Sequence, residues 1–251
     1  MSRRVVIAAL AVLSLAGLAA APANAAPRTA SAIGTANVNG KDVQVEVYVQ
    51  VPPGQSAGEA TDQALAEQGA RPKKPPPGGG TGGPTFTGLF WDVLPVVQSY
   101  NPAGEGVAAQ SALTATQATW SSVPGSRFAM SFGGITSRCP SLVRECVGPQ
   151  LLDGFNDVGW ARLGRNVLGV TWSTAGAQDE ADMALSARVP WNTGCVDVPG
   201  SVDVQTVLLH ENGHVAGLGH ASSTASVMYP SYQGARCALG SLDQDAIRAL
   251  Y

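Results

Sequence analysis

The sequence predicts an α+β fold, because strand and helix patterns both occur along its 251 residues and no internal repeat is found. Three observations carry this prediction. Valines alternate with other residues over 43–51, which is the period of a strand. Ala109, Leu113, Thr116 and Trp120 form one helical stripe. The third observation is the segment 202–216, which has a helix-forming pattern and contains two of the chain's three histidines.

Composition bounds the protein's size and its partners. The chain can bury one substantial core, and 45% of its residues are hydrophobic. Only 13% are charged and the net charge is -3, so the chain offers no basic surface for nucleic acid or anionic lipid. We therefore expect no nucleic-acid partner, no membrane partner and a monomer.

Residues 1–25 have the pattern of a signal peptide. Arg3 and Arg4 precede an apolar stretch over 5–20, and Ala23-Asn24-Ala25 is a small-residue cleavage site. The alternative is a membrane anchor, for which the apolar stretch is short. The pattern predicts a secreted, extracellular protein and leaves the export route open.

The four cysteines all follow this segment. An even number in an oxidising compartment favours two disulfides, and sequence order suggests Cys139–Cys146 and Cys195–Cys237. Three pairings are open in principle. A cysteine metal site is not expected, because the chain has no closely spaced thiolate pair.

Residues 26–70 predict a small N-terminal unit. An Asn39-Gly40 turn precedes the valine strand and suggests a hairpin, and a helix-favouring stretch follows over 57–68. The Pro/Gly-rich segment 71–84 cannot bury a core and is predicted to be a linker. We expect 26–84 to be a propeptide, which would make the chain a zymogen.

The main domain is predicted to be 85–251. Its elements, in order, are a strand over 90–100, the helix ending near Trp120, strands over 127–132, 167–172 and 181–185, the helix 202–216 and a C-terminal helix. Ser241 and Gln244 have the spacing of a capping box for that last helix.

The histidines form the candidate site. On a helix, His210 and His214 lie about 40° apart around the axis and about 6 Å apart along it, so both rings can bind one ion. Glu211 lies at the edge of the same face, where it can reach a water as general base. His220 reaches the site only if the chain turns, and Gly217 can adopt the left-handed conformation for that turn.

Three histidines with one position left for water are the ligand set of a catalytic zinc. One Zn²⁺ ion is therefore predicted, with a zinc-activated water attacking a carbonyl while Glu211 takes its proton. A chance match is the competing interpretation, but five positions agree and the chain has no other histidine.

The pattern His210-Glu211-x-x-His214-x-x-Gly217-x-x-His220 resembles the metzincins, and Ser226–Pro230 resembles their Met-turn, with Met228 as an apolar floor. Within them the chain is most similar to the matrixins, also at 94–102, 120–121, 180–183, 203–207 and 242–251. The resemblance implies a zincin-like catalytic domain in which a twisted mixed sheet precedes the zinc helix, the Met-turn and a terminal helix. It also implies that a peptide or protein substrate adds as a strand along the edge Val167–Trp172, with a specificity pocket near Val227–Gly234.

The chain departs from the animal matrixins in two ways. No histidine is left for a second, structural zinc, and 26–84 contains no cysteine to hold latency, so inhibition by this segment must work differently. Calcium binding is left open by the sequence.

The function that follows is that of a secreted zinc metalloendopeptidase. Two alternatives stay open: a zinc-binding module without peptidase activity, and a zinc hydrolase of non-peptide amides on the same fold. Glu211 favours the enzyme, because a binding module does not need the carboxylate.

Overall fold

The computed structural model describes residues 28–73, 82–140, 153–174 and 179–251. Its helices are α1 (Ala57–Glu67), α2 (Gln110–Ser121), α3 (Val204–Val215) and α4 (Ser241–Leu250). Its strands are β1 (Thr29–Val38), β2 (Lys41–Gln50), β3 (Arg71–Pro72), β4 (Pro84–Phe86), β5 (Val96–Tyr100), β6 (Met130–Ile135), β7 (Asn156–Ala161), β8 (Val167–Thr174), β9 (Ala181–Ser186), β10 (Trp191–Asn192), β11 (Val202–Asp203) and β12 (Leu218–Ala221).

Eight strands form one mixed sheet in the order β3-β1-β2-β8-β9-β7-β5-β6. Strands β6, β5, β7 and β9 run parallel to one another, and β8 pairs antiparallel with β9. The hairpin β1–β2 continues the sheet, because β2 pairs antiparallel with β8. Helices together with a mixed sheet confirm the predicted α+β class.

Two apolar clusters hold these layers together. The larger one lies between the sheet and α2, α3 and α4, and includes Trp120, Leu208 and Ile247. The smaller one packs α1 and the valines of β2 against Val170 and Trp172. The N-terminal unit therefore shares its core with the main sheet, so burial of the same apolar surface stabilises both.

Strand β2 differs from the expectation of one buried face. Val43, Val45, Val47 and Val49 are buried, but so are the intervening residues Gln44, Glu46 and Tyr48, which are 6%, 1% and 3% exposed. Alternation predicts correctly which residues share a face. It does not predict that the polar face is also covered, because the covering group is the distant helix α3.

Helix α3 is positioned by a buried polar network. The Asn212 amide donates to Thr116 Oγ1 at 2.8 Å and accepts from Gln98 Nε2 at 3.1 Å. The Trp120 indole donates to the Leu209 carbonyl at 2.9 Å. Satisfied buried networks of this kind specify one arrangement of the helices, because each unpaired member would be costly.

Several predicted boundaries shift. The first strand of the main domain is Val96–Tyr100, and α3 begins at Val204 because the Asp203 carboxylate caps it, accepting from Thr206 N at 2.8 Å. The capping box of Ser241 and Gln244 is wrong. Helix α4 instead begins after Gly240, whose N–H donates to Asp243 at 2.9 Å.

A disulfide joins Cys195 to Cys237, with Cα atoms 6.0 Å apart. Cys146 lies outside the described residues, so its pairing with Cys139 stays a prediction. The predicted signal peptide 1–25 and most of the linker 71–84 also lie outside them. Among the described helices, none has the length and apolarity to cross a bilayer.

Candidate metal centre

The metal centre begins where α3 ends. Gly217 has a φ of 93°, and a Cβ built there would overlap the carbonyl oxygen of Leu89. Only glycine satisfies both conditions at this point. The chain reverses into β12, which pairs with β4 and carries His220 back to the end of the helix.

The three histidines come together around one point. The Nε2 atoms of His210 and His214 lie 3.0 Å apart, and the rings of His214 and His220 have centroids 4.9 Å apart. His210 Nδ1 lies 2.8 Å from the Val227 carbonyl, and His214 Nδ1 lies 2.8 Å from the Leu218 carbonyl. A carbonyl can only accept, so both Nδ1 atoms carry the proton and both Nε2 atoms present a lone pair.

Burial keeps these rings neutral. It lowers the pKa of His210 to about 4, and it lowers the pKa values of His214 and His220 well below the usual range, with neighbouring histidines adding to the effect. A neutral imidazole is the form that binds a metal.

Glu211 faces the same point from the helix. Its Oε2 accepts from Thr171 Oγ1 of β8 at 2.5 Å, and its Oε1 is buried without a hydrogen-bond partner among the described residues. Gly169, also on β8, leaves room for it, since a Cβ there would lie 3.4 Å from Oε1. Burial raises the pKa of Glu211 to about 7.

Met228, expected to form the floor of the site, is fully buried. It packs on Gly213, where a Cβ would overlap the methionine sulfur. The turn Ser226–Pro230, which contains Met228, is hydrogen-bonded to α4. The Asp243 carboxylate accepts from Ser226 Oγ and from Val227 N, the latter at 3.0 Å. The same turn supplies the Val227 carbonyl that orients His210.

Three residues that the sequence analysis missed complete the centre, all from the N-terminal hairpin. Glu46 Oε1 lies 3.8 Å from His220 Nε2 and 3.9 Å from His214 Nε2. The Tyr48 ring stacks on His210 at 5.0 Å, and Ser31 Oγ lies 2.6 Å from His220 Nε2. Local sequence carries no signal for them, since a glutamate alternating with valines predicts a solvent-facing position.

These side chains fit a metal ion. Bonds of about 2.0–2.1 Å in a tetrahedral zinc site separate the ligand atoms by about 3.3 Å. The ligand atoms of Glu46, His210, His214 and His220 all lie within 4.8 Å of one another. Cys195, Asp203 and Cys237 form a second cluster, but its cysteines are joined in the disulfide and offer no thiolate.

The strand expected to be open to substrate is covered in the structure. The resemblance implies that Val167–Trp172 is a free edge, but β8 is paired on both sides, with β9 and with β2. Asn39 and Gly40 adopt positive φ angles of 51° and 85°, as a two-residue hairpin turn requires, and strand β2 of this hairpin occupies that edge. A cavity of about 1010 Å³ lies between β1, β4 and β12 and reaches His220.

Comparison with known proteins finds similar sequences for the part of the chain that carries this centre. A family model described as matrixin matches residues 163–251, which include α3, β12 and α4. The chain is 36% identical over 70 residues to "Probable matrix metalloproteinase 095L" of Invertebrate iridescent virus 3, covering 28% of this chain and 19% of the relative. It is 41% identical over 66 residues to "Matrix metalloproteinase-25" of Mus musculus, covering 24% and 11%.

A plant relative matches at a similar level. "Metalloendoproteinase 1" of Glycine max is 41% identical over 56 residues, which are 22% of this chain and 18% of the relative. The chain thus spans between about a tenth and a fifth of the length of these relatives. The family model's match, 163–251, includes the three histidines and the turn after them.

Proposed function

We propose that this chain, whose residues 163–251 match a family model described as matrixin, is a zinc-dependent endopeptidase. The observation that carries the proposal is that His210, His214 and His220 converge on one point, with the buried Oε1 of Glu211 left without a hydrogen-bond partner among the described residues. In this assignment His210, His214 and His220 bind one zinc ion, Glu211 is the general base, and Met228 supports the site from below.

A zinc ion held there supplies Lewis acidity, which polarises a carbonyl and activates water. The protein's own residues handle the protons. Glu211 takes a proton from the attacking water and passes it to the leaving amine. Thr171 holds the Glu211 carboxylate through its hydroxyl, at 2.5 Å. The carbonyls of Val227 and Leu218 keep two imidazoles in the tautomer that leaves Nε2 free.

The remaining assignments complete the proposal. Residues 1–25 direct export, so the protein acts outside the cell on peptides or proteins, as a monomer. Residues 26–84 are a propeptide with a linker at 71–84, and 85–251 is the catalytic domain. A lowered dielectric in the buried site strengthens every charge interaction there, which suits hydrolysis of an amide.

The test compares the wild type with Glu211→Gln, both loaded with zinc. Each protein is assayed before and after cutting at a protease-recognition sequence inserted in residues 74–81. We expect the cut wild type to cleave a mixed peptide pool at internal bonds, mapped by mass spectrometry. Glu211→Gln should keep one zinc per chain and lose roughly 10²- to 10⁴-fold in rate, because it removes the base but not a ligand.

Glu105→Gln is the matched control, since it makes the same change at an exposed position. It should retain both zinc and activity. Unchanged cleavage by Glu211→Gln would contradict the mechanism. A zinc-loaded wild type that cleaves no peptide even after cutting and removal of the N-terminal fragment would contradict the endopeptidase.

The non-peptidase alternative has one observation in its favour. With Glu46 included, four protein side chains surround the metal point, and closed four-ligand sites are typical of structural zinc. This alternative expects no peptide cleavage whether or not the hairpin is in place. A hydrolase of non-peptide amides would also spare the peptide pool but would hydrolyse simple amides in a Glu211-dependent way.

A further inference from the structure

The N-terminal hairpin lies across the metal centre and contacts both sides of it. Strand β2 pairs with β8 from Val43↔Thr174 to Val49↔Val167. Strand β1 contacts the segment after Met228, since Ser31 N donates to the Pro230 carbonyl at 2.8 Å. Under the proposed function, an extended peptide substrate would bind between these two segments, β8 and the segment after Met228.

The register of the hairpin selects which side chain faces the histidines. Glu46 lies directly opposite Thr171, the residue that donates to Glu211. Side chains of paired residues point to the same face of a sheet, so Glu46 and Thr171 both point toward α3. The result is that Glu46 Oε1 lies within 3.9 Å of two of the histidine Nε2 atoms.

The Glu46 carboxyl group is buried beside the histidines. The residue is 1% exposed, and neither of its oxygens has a hydrogen-bond partner among the described residues. Glu211 Oε1 beside it is also unpartnered. Burying a carboxylate without donors or a cation costs several kcal/mol. A divalent cation at the centre of the histidines would bind the Glu46 carboxylate and offset this cost.

We infer that Glu46 is a fourth ligand of the zinc ion and that the β1–β2 hairpin, lying in the cleft, holds the chain inactive. The inhibitory part rests on the proposed peptidase function. The hairpin is not itself a substrate at this point, because the group it presents is a side-chain carboxylate without a leaving amine. It holds the coordination position that hydrolysis needs for water.

Other contacts keep the hairpin in this position. Tyr48 stacks on His210 with ring planes 21° apart, and Ser31 reaches His220. On the opposite face, the β2 valines and α1 bury Val170 and Trp172. Glu46 is therefore held by the fold around it, as a metal ligand must be if it is to bind at a fixed distance.

The test uses the full chain as wild type, Glu46→Gln and Gln44→Ala. Gln44 lies on the same face of β2, two residues away, and controls for repacking of the strand. Zinc affinity is measured by competition with a chelator. We expect Glu46→Gln to bind zinc at least about tenfold more weakly than wild type, and Gln44→Ala to bind it within about twofold.

A second measurement asks whether a coordination position is open. Acetohydroxamate is added to the cobalt-loaded proteins, and the visible absorption of the metal is recorded. The spectrum of Glu46→Gln should change and that of the wild type should not. Equal zinc affinities in the three proteins would overturn the assignment, and so would binding of acetohydroxamate by the wild type. The latter result needs no variant, so it stands even if Glu46→Gln does not fold.

Peptidase activity separates this inference from the function on which it rests. If both are right, Glu46→Gln cleaves peptides at least about tenfold faster than the wild-type full chain. If the zinc measurements behave as expected but no protein cleaves a peptide, even after cutting within 74–81 and removal of the N-terminal fragment, the ligand assignment stands and the peptidase proposal fails. If wild type and Glu46→Gln cleave equally fast, the inhibitory role is wrong.

Discussion

The turn at Gly217 offers a direct test of how the third histidine is brought to the site. Replacing Gly217 with alanine has two costs. A non-glycine residue at positive φ costs about 1–2 kcal/mol, and Gly217 has a φ of 93°. The added Cβ also overlaps the Leu89 carbonyl, which is backbone and cannot rotate away. Overpacking of this kind costs about 1–3 kcal/mol more.

Gly194 separates the two costs because its φ is also 93°, while no described atom lies within 4 Å of a Cβ built there. Gly194→Ala should lower the free energy of unfolding by about 1–2 kcal/mol, from the backbone alone. Gly217→Ala should lower it by about 2–5 kcal/mol. It should also weaken zinc binding, because relief of the overlap moves the strand that carries His220.

Urea unfolding of the metal-free proteins, with disulfides intact and tryptophan fluorescence as the signal, measures the first quantity. Chelator competition on the folded proteins measures the second. The reasoning is refuted if the two alanine variants lose the same free energy of unfolding and Gly217→Ala keeps wild-type zinc affinity. The close approach of Gly217 to Leu89 would then not position His220.

Two further predictions concern the general base and the disulfide. Thr171→Val keeps the shape of the side chain but removes the donor to Glu211, and hydrogen bonds to charged groups contribute about 1.5–3 kcal/mol. The value of kcat/KM for a peptide should therefore fall roughly 10- to 100-fold, while zinc content stays unchanged; an unaltered kcat/KM would show that Thr171 does not hold the base. Replacing both Cys195 and Cys237 with alanine removes a cross-link between residues 42 apart. Urea unfolding should show a loss of about 4 kcal/mol, from the loop-closure entropy of the unfolded chain, and a loss below about 1 kcal/mol would contradict this account.

The site assignments built from the histidine motif needed little more than local geometry. The positions of His210 and Glu211 follow from helix periodicity, and the conformation of Gly217 follows from the need to reverse the chain within a few residues. The α+β class was equally accessible, because the helical stripe ending at Trp120 and the valine alternation of β2 are local patterns. Boundaries were less accessible, since Asp203 caps α3 where the apolar pattern alone extends the helix upstream.

The role of the N-terminal segment could not be read from the chain alone. The period of β2 places Glu46 and the valines on opposite faces. It does not predict which face packs on the histidine helix, or that β2 pairs with a strand more than a hundred residues away. That choice depends on pairing with β8, and a slip of one residue would turn valines toward the histidines instead. Strand register is set by contacts between distant parts of the chain. For that reason a local motif was enough to propose the three histidines as metal ligands, whereas Glu46 is brought to face them only by the folded protein.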